Sequence, residues 1–312
     1  MNFNSVPGVL LGFFVVGIVI LIGYLARRWD VIDGSAEKVL NVAAFYLMSP
    51  ALFIVVITTA DIDIIFSGYM YASILGIIIT VIFTAILLYL QKKHTAVGIL
   101  FYTGSTVFNN SSNIGIPISL YVLGTTSYVA PIILLQLVVF SPIILIIIEL
   151  IYGPKQSFAK TISKPFKNPL ILSSLLGTLL LLLDIQLPAA LFNPLELLGY
   201  AAIPTLLLAF GVSMSGAKPL VNTRASIKEI LLVVSVKAIF MPLITVLIGI
   251  FLFDLQGTEL FALALVASFP AGQTIYNYAI TYDYLSTEIR DVVLISTAVS
   301  LPAVLGFTVF LT

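Results

Sequence analysis

The 312-residue sequence has no cysteine, a single histidine (His94), and charge on only 9% of its residues. The missing cysteine excludes a disulfide framework, thiol catalysis and a thiolate-held iron–sulfur cluster. One histidine leaves no basis for a histidine-built metal centre. An ordinary soluble domain carries roughly 25% charge, so this chain lacks the means to cover a water-facing surface. There is no phosphate-binding loop, which excludes ATP-driven work within the chain. No Ser/His pairing or metal-ligand cluster suggests a hydrolase. No enzymatic activity, catalytic residue, metal or other cofactor is therefore expected. The formal net charge is zero, and nucleic acid is not an expected partner.

Apolar residues are what the chain has in abundance, at 60% of the total and a mean hydropathy of +1.17. They fall in runs about as long as the ~20 residues needed to cross ~30 Å of hydrocarbon. A transmembrane barrel would instead read as short alternating segments. The expected fold class is an all-α polytopic membrane protein with ten spans, near 6–26, 36–59, 66–90, 95–123, 127–151, 168–183, 195–215, 227–253, 258–282 and 289–311. Segment 186–194 is expected to lie at the interface. The N-terminal run has no basic residues before it, and Arg27 and Arg28 follow it. It reads as a first span rather than a cleaved signal.

The cations support this count. Arg27, Arg28 and Lys38; Lys92 and Lys93; Lys155, Lys160, Lys164 and Lys167; Lys218, Arg224 and Lys228; and Arg290 all fall in alternate loops. The loops around Asp61, Thr125, Asp184 and Asp254 carry none. By the positive-inside rule the basic loops are cytoplasmic, so both termini of this plasma-membrane protein are expected outside.

Five spans on either side of a basic linker predict an inverted repeat: 1–152, a cytoplasmic linker at 153–167, and 168–312. Pro50 precedes Pro117 by 67 residues, and Pro204 precedes Pro270 by 66.

Two polar knots interrupt otherwise apolar spans. The first is Val107-Phe-Asn-Asn-Ser-Ser-Asn-Ile-Gly-Ile-Pro117 in span 4, and the second is Ser268-Phe-Pro-Ala-Gly-Gln-Thr274 in span 9. Unpaired amides facing lipid cost several kcal/mol each, so such knots belong where broken helices line a protected cavity. Two broken helices at matching places in the two halves point to a transporter's binding site. Half-helix N-termini near Pro117 and Gln273 offer N–H groups and partial positive charge to a carboxylate. Asn109, Asn110, Ser111 and Asn113, with Gln273, Thr274 and Asn277, are the expected substrate-binding side chains. Lys237 lies about nine residues into span 8 from Lys228, or ~13 Å of helix rise. Its ammonium is expected either to face an anionic substrate or to neutralise the carbonyl ends of the broken helices. No pair of mid-span carboxylates is evident, which argues against cation or proton exchange. Tyr residues near span ends and Trp29 read as interface anchors.

Asn110-Ser-Ser-Asn-Ile-Gly-Ile-Pro117 resembles the Asn-x4-Gly-Ile-Pro motif in the fourth helix of the auxin efflux carrier family. Pro270-Ala-Gly-Gln-Thr-Ile-Tyr-Asn-Tyr-Ala-Ile-Thr-Tyr282, Ser296-Thr-Ala-Val-Ser-Leu-Pro302 and Ser49-Pro-Ala-Leu-Phe53 are similar to other segments of that family. The resemblance implies ten helices in a fold like that of the bile-acid sodium symporters, with broken helices 4 and 9 crossing. It also implies a homodimer, and a transport domain of helices 3–5 and 8–10 on a scaffold of helices 1, 2, 6 and 7. The function implied is secondary transport of small organic anions by an elevator motion, the candidates being malate, malonate or an auxin-like acid. Asn110, Pro117 and Pro270 take the family's site positions. The departure is Ser112-Asn113, where an apolar or aromatic residue is common just before the Gly, and the extra amide implies a site more polar than an auxin site. The alternative reading is a sodium-coupled symporter for organic anions.

Overall fold

A computed structural model describes residues 6–152, 161, 163–216 and 227–311. Lys155, Lys160, Lys218, Arg224 and most of the linker at 153–167 lie outside the described residues. The described chain is built of helices, and its one recorded extended pairing is a bridge between Asn109 and Ala271.

The order begins with α1 (Val6–Arg28), then α2 (Ser35–Ala43) and α3 (Ser49–Thr58), which share one continuous span. Next come α4 (Gly68–Leu90), α5 (Ala96–Val107) and α6 (Ile116–Leu123). A further span holds α7 (Val129–Leu134) and α8 (Ser141–Tyr152), followed by α9 (Pro169–Leu182) and α10 (Ala189–Gly216). The chain closes with α11 (Ile227–Ser235), α12 (Met241–Phe253), α13 (Gly257–Ala267), α14 (Gln273–Thr281) and α15 (Ser286–Leu311). Among the described residues seven helical stretches are long and apolar enough to cross a membrane, with four shorter apolar helices besides.

Burial is arranged for lipid. Leu10, Phe14, Leu21, Ile78, Ile82, Ile86, Leu172, Leu176 and Leu179 point outward at helical spacing. Thr80, Thr84, Ser105, Thr106, Ser174, Lys237 and Asp291 are buried. A water-soluble fold would reverse that pattern, since apolar faces need no covering only where the solvent is hydrocarbon.

The contacts form two bundles that meet where α1 packs along α6. In the first, α10 packs along α1 and α3, and α9 packs on α3. Small residues let the backbones touch: a Cβ on Gly23 would lie 2.3 Å from the Leu208 carbonyl oxygen, and one on Gly211 2.0 Å from that of Ile20. In membranes this close approach replaces the hydrophobic effect as the force that pairs helices. The second bundle is centred on α4 against α12, with α13 on α12, α5 on α4, and α11 against α15.

Four π-turns break the regular winding: Ala44–Met48, Ser111–Gly115, Leu135–Phe140 and Val236–Phe240. Each is followed two positions later by a proline: Pro50, Pro117, Pro142 and Pro242. A proline lacks the N–H for the carbonyl four residues back and its ring presses on that carbonyl. Widening the preceding turn by one residue relieves both faults without ending the helix.

Two expectations shift. The helix of span 7 begins at Ala189, not 195, with Pro194 and Pro204 inside it. Leu191 and Phe192 donate to the Pro188 carbonyl and start the helix early. Pro194 deprives only the Ala190 carbonyl of a donor, at an exposed end that other donors can reach. In span 4 the second half-helix starts with the π-turn at Ser111, several residues before Pro117.

Candidate functional site

The site forms where the two interrupted helices meet. The α5 helix ends at Val107 and α13 at Ala267, and the chain crosses at Phe108–Asn110 and, after a turn at Ser268 and Phe269, at Pro270–Gly272, where Asn109 and Ala271 form a bridge. The segments satisfy each other: Asn110 N–H donates to the Pro270 carbonyl at 2.9 Å, and Gly272 N–H to the Phe108 carbonyl at 2.7 Å. Backbone at this depth must be paired internally, and these two bonds do much of that.

Neighbouring side chains complete the pairing. Asn109 donates to the Val266 carbonyl at 3.0 Å, which also accepts from Phe269 N–H at 3.3 Å where α13 ends. The Lys237 ammonium, fully buried, donates to Asn109 Oδ1 and to Met241 Sδ, the latter at 3.2 Å. From the facing π-turn of the α7–α8 span, the Gln136 amide, turned so that both its ends pair, donates to the Asn109 carbonyl at 3.0 Å and accepts from its N–H at 3.1 Å. Ala271 N–H donates to Ser296 Oγ at 3.1 Å. Asn109 is thus held at its backbone and at both ends of its side chain.

The next residue is different. Asn110 uses its carbonyl to accept from Ile114 and Gly115 and so winds the π-turn. Its side-chain amide has no partner among the described residues, and it lines a cavity of about 1160 Å3. Asn113 Nδ2 donates to Gln273 Oε1 at 2.9 Å, which brings the starts of the two second half-helices side by side. Thr274 and the exposed Asn277 line the cavity from α14. Neither N-terminus has a side-chain cap, so first-turn N–H groups are available beside Asn110.

Pro117 is buried in the first turn of α6, and Pro270 sits in the crossing itself. Every expected site residue therefore lies at or beside the crossing. Pro117, Pro270 and Lys237 do not line the cavity. The Lys237 ammonium meets the Asn109 side chain and Met241 rather than the cavity.

The cavity runs from this apex to the end of the bundle that carries Lys38, Lys164, Lys167 and Arg290. Arg290 pairs with Asp291 at 2.9 Å, and Lys164 with Glu149. Tyr276, Tyr278 and Tyr282 form part of its wall, so these tyrosines of α14 are not interface anchors. Sequence reasoning also missed Gln136, although a lone amide in an apolar run just before Pro142 was a usable signal. It further missed the buried carboxylates Glu229, Glu288 and Asp291, which lie near helix ends.

A polar crossing between broken helices, beneath a wide cavity and inside a lipid-facing shell, defines a membrane transporter. The family model described as membrane transport protein matches residues 154–308. The chain belongs to this family, that of the auxin efflux carriers. No curated protein matches it.

Proposed function

We propose that the chain is a secondary carrier for small organic carboxylate anions that presents one site alternately to the two sides of the membrane. The observation that carries this reading is the unpartnered amide of Asn110 at the cavity apex, beside two uncapped half-helix N-termini. Neutral donors and helix-end N–H groups suit a carboxylate without locking it in place. The cations around the mouth raise the local concentration of anions.

On this reading the seven long stretches, the short α9 and the two interrupted helices make ten crossings, arranged as two inverted repeats. The basic loops lie in the cytoplasm, the termini lie outside, and the cavity opens inward. The first bundle is a scaffold and the dimer contact, and the second slides past it as an elevator carrying the crossing. Lys237 supplies beside Asn109 the positive charge that a symporter would take from sodium, which favours the sodium-independent form over the sodium-coupled alternative.

The test is to record currents from proteoliposomes in sodium-free buffer on adding malate, malonate and indole-3-acetate in turn. A current with one anion, lost in Asn110→Ala, supports the carrier and names its substrate. A response to anion that appears only with sodium would replace this reading with the symporter.

A further inference from the structure

Glu149 plays no part in the apex, yet its carboxylate is buried on α8, with 3% side-chain exposure. Two donors from distant parts of the chain converge on it: the Lys164 ammonium, and the Tyr282 hydroxyl at 3.0 Å. They belong to different bundles: α14, like the α8 helix that carries Glu149, packs on α5 of the second bundle, whereas Lys164 leads into α9 of the first. Tyr282 closes α14, the half-helix that carries Gln273, Thr274 and Asn277. Lys164 precedes the single turn Pro165–Lys167, and Asn168 then caps α9 by accepting from Leu170 N–H at 2.9 Å. The α9 helix is fixed to α3 in the first bundle. Lys164 and Tyr282 both line the basic end of the cavity.

We propose that Glu149 and Lys164 form a latch between the two bundles that holds the cavity open at its basic end. The latch rests on the alternating-access reading. Sliding the second bundle carries Glu149 and Tyr282 away together, so their hydrogen bond survives the motion. Lys164 stays with α9. A carboxylate this deeply buried loses its counter-charge when the two separate, and breaking one side of such a pair is strongly unfavourable. The pair thus stabilises one end state and must open in each cycle.

A cysteine-free chain allows a single reporter. Ser213→Cys places a thiol on the cavity wall at a residue whose side chain bonds only its own helix, at the Phe210 carbonyl. Full-length protein in sealed vesicles of each orientation is treated with a membrane-impermeant maleimide. Glu149→Gln and Lys164→Met should each slow labelling from the basic-loop face at least threefold. Combining them should add nothing further, and Tyr282→Phe should label like the parent. Parental rates in both single variants, or effects that simply add, overturn the latch. Lys164 is partly exposed, so its variant carries the test if Glu149→Gln folds poorly. A parent that reacts from both faces, with unaltered variants, removes the latch alone. A parent that reacts from one face under every condition, with and without malate, removes alternating access as well.

Discussion

Lys237 and Asn109, 128 residues apart, are joined by a hydrogen bond from a fully buried ammonium to a side-chain amide oxygen. The same amide donates to the Val266 carbonyl at the end of α13, so one side chain ties a π-turn to the broken ends of both interrupted helices. On the proposed reading, charge at this point does structural work that cations do in other transporters with unwound helices. Lys237→Met is expected to leave the Asn109 oxygen unpaired, at about 1–3 kcal/mol. A lower melting temperature together with at least tenfold slower transport is the expected result. Thermal unfolding in detergent and uptake by proteoliposomes measure the two.

Asn109 and Asn110 are chemically identical neighbours with opposite roles. Asn110→Ala removes an amide that bonds nothing among the described residues, while its backbone keeps the crossing closed. Stability should change by no more than about 0.5 kcal/mol, and transport should be lost. Asn109→Ala removes two buried partners at once, so it should lower the melting temperature well before activity is considered. A destabilised Asn110→Ala, or a fully stable Asn109→Ala, would reverse the assignment.

The limits of what the sequence makes legible follow from the same residues. Low charge, long apolar runs and two polar knots are enough to read an all-α polytopic membrane protein and to locate its two interrupted helices, because lipid allows so few alternatives. Which amide would pair and which would stay free was not legible. Asn109 and Asn110 differ only in the direction set by an irregular backbone, and no periodicity specifies that. Gln136 was passed over because a single amide in an apolar span has no pattern to belong to. The early start of α10 was hidden because Pro194 reads as a helix breaker, although near an exposed end it costs little.

Gly115 faces Phe269 across the crossing, and a Cβ there would lie 2.7 Å from the ring. Both residues are buried among side chains of both halves. Gly115→Ala should therefore force the crossing apart, costing about 1–3 kcal/mol as an overpacked core does. Shortening the opposing ring relieves the clash, so Gly115→Ala with Phe269→Leu should be less destabilised than the two changes summed. Additive losses in thermal unfolding would mean that the two residues are not in functional contact.

The π-turns give the last prediction, because three of the four place a site residue and each is followed two positions on by a proline. Gln136 sits in Leu135–Phe140 ahead of Pro142, and Lys237 in Val236–Phe240 ahead of Pro242. In Pro242→Ala the restored N–H can pair with the carbonyl four residues back, so the wide turn has reason to anneal to a regular helix. Removing the extra residue from the turn rotates everything on its far side by ~100°, the angle per residue of an α-helix. Lys237 would then turn away from Asn109, although the helix itself gains a hydrogen bond. The expected outcome is transport at least tenfold slower, with a smaller loss of melting temperature than in Lys237→Met. Normal transport in Pro242→Ala would mean that packing around the turn, and not the proline, holds the π geometry.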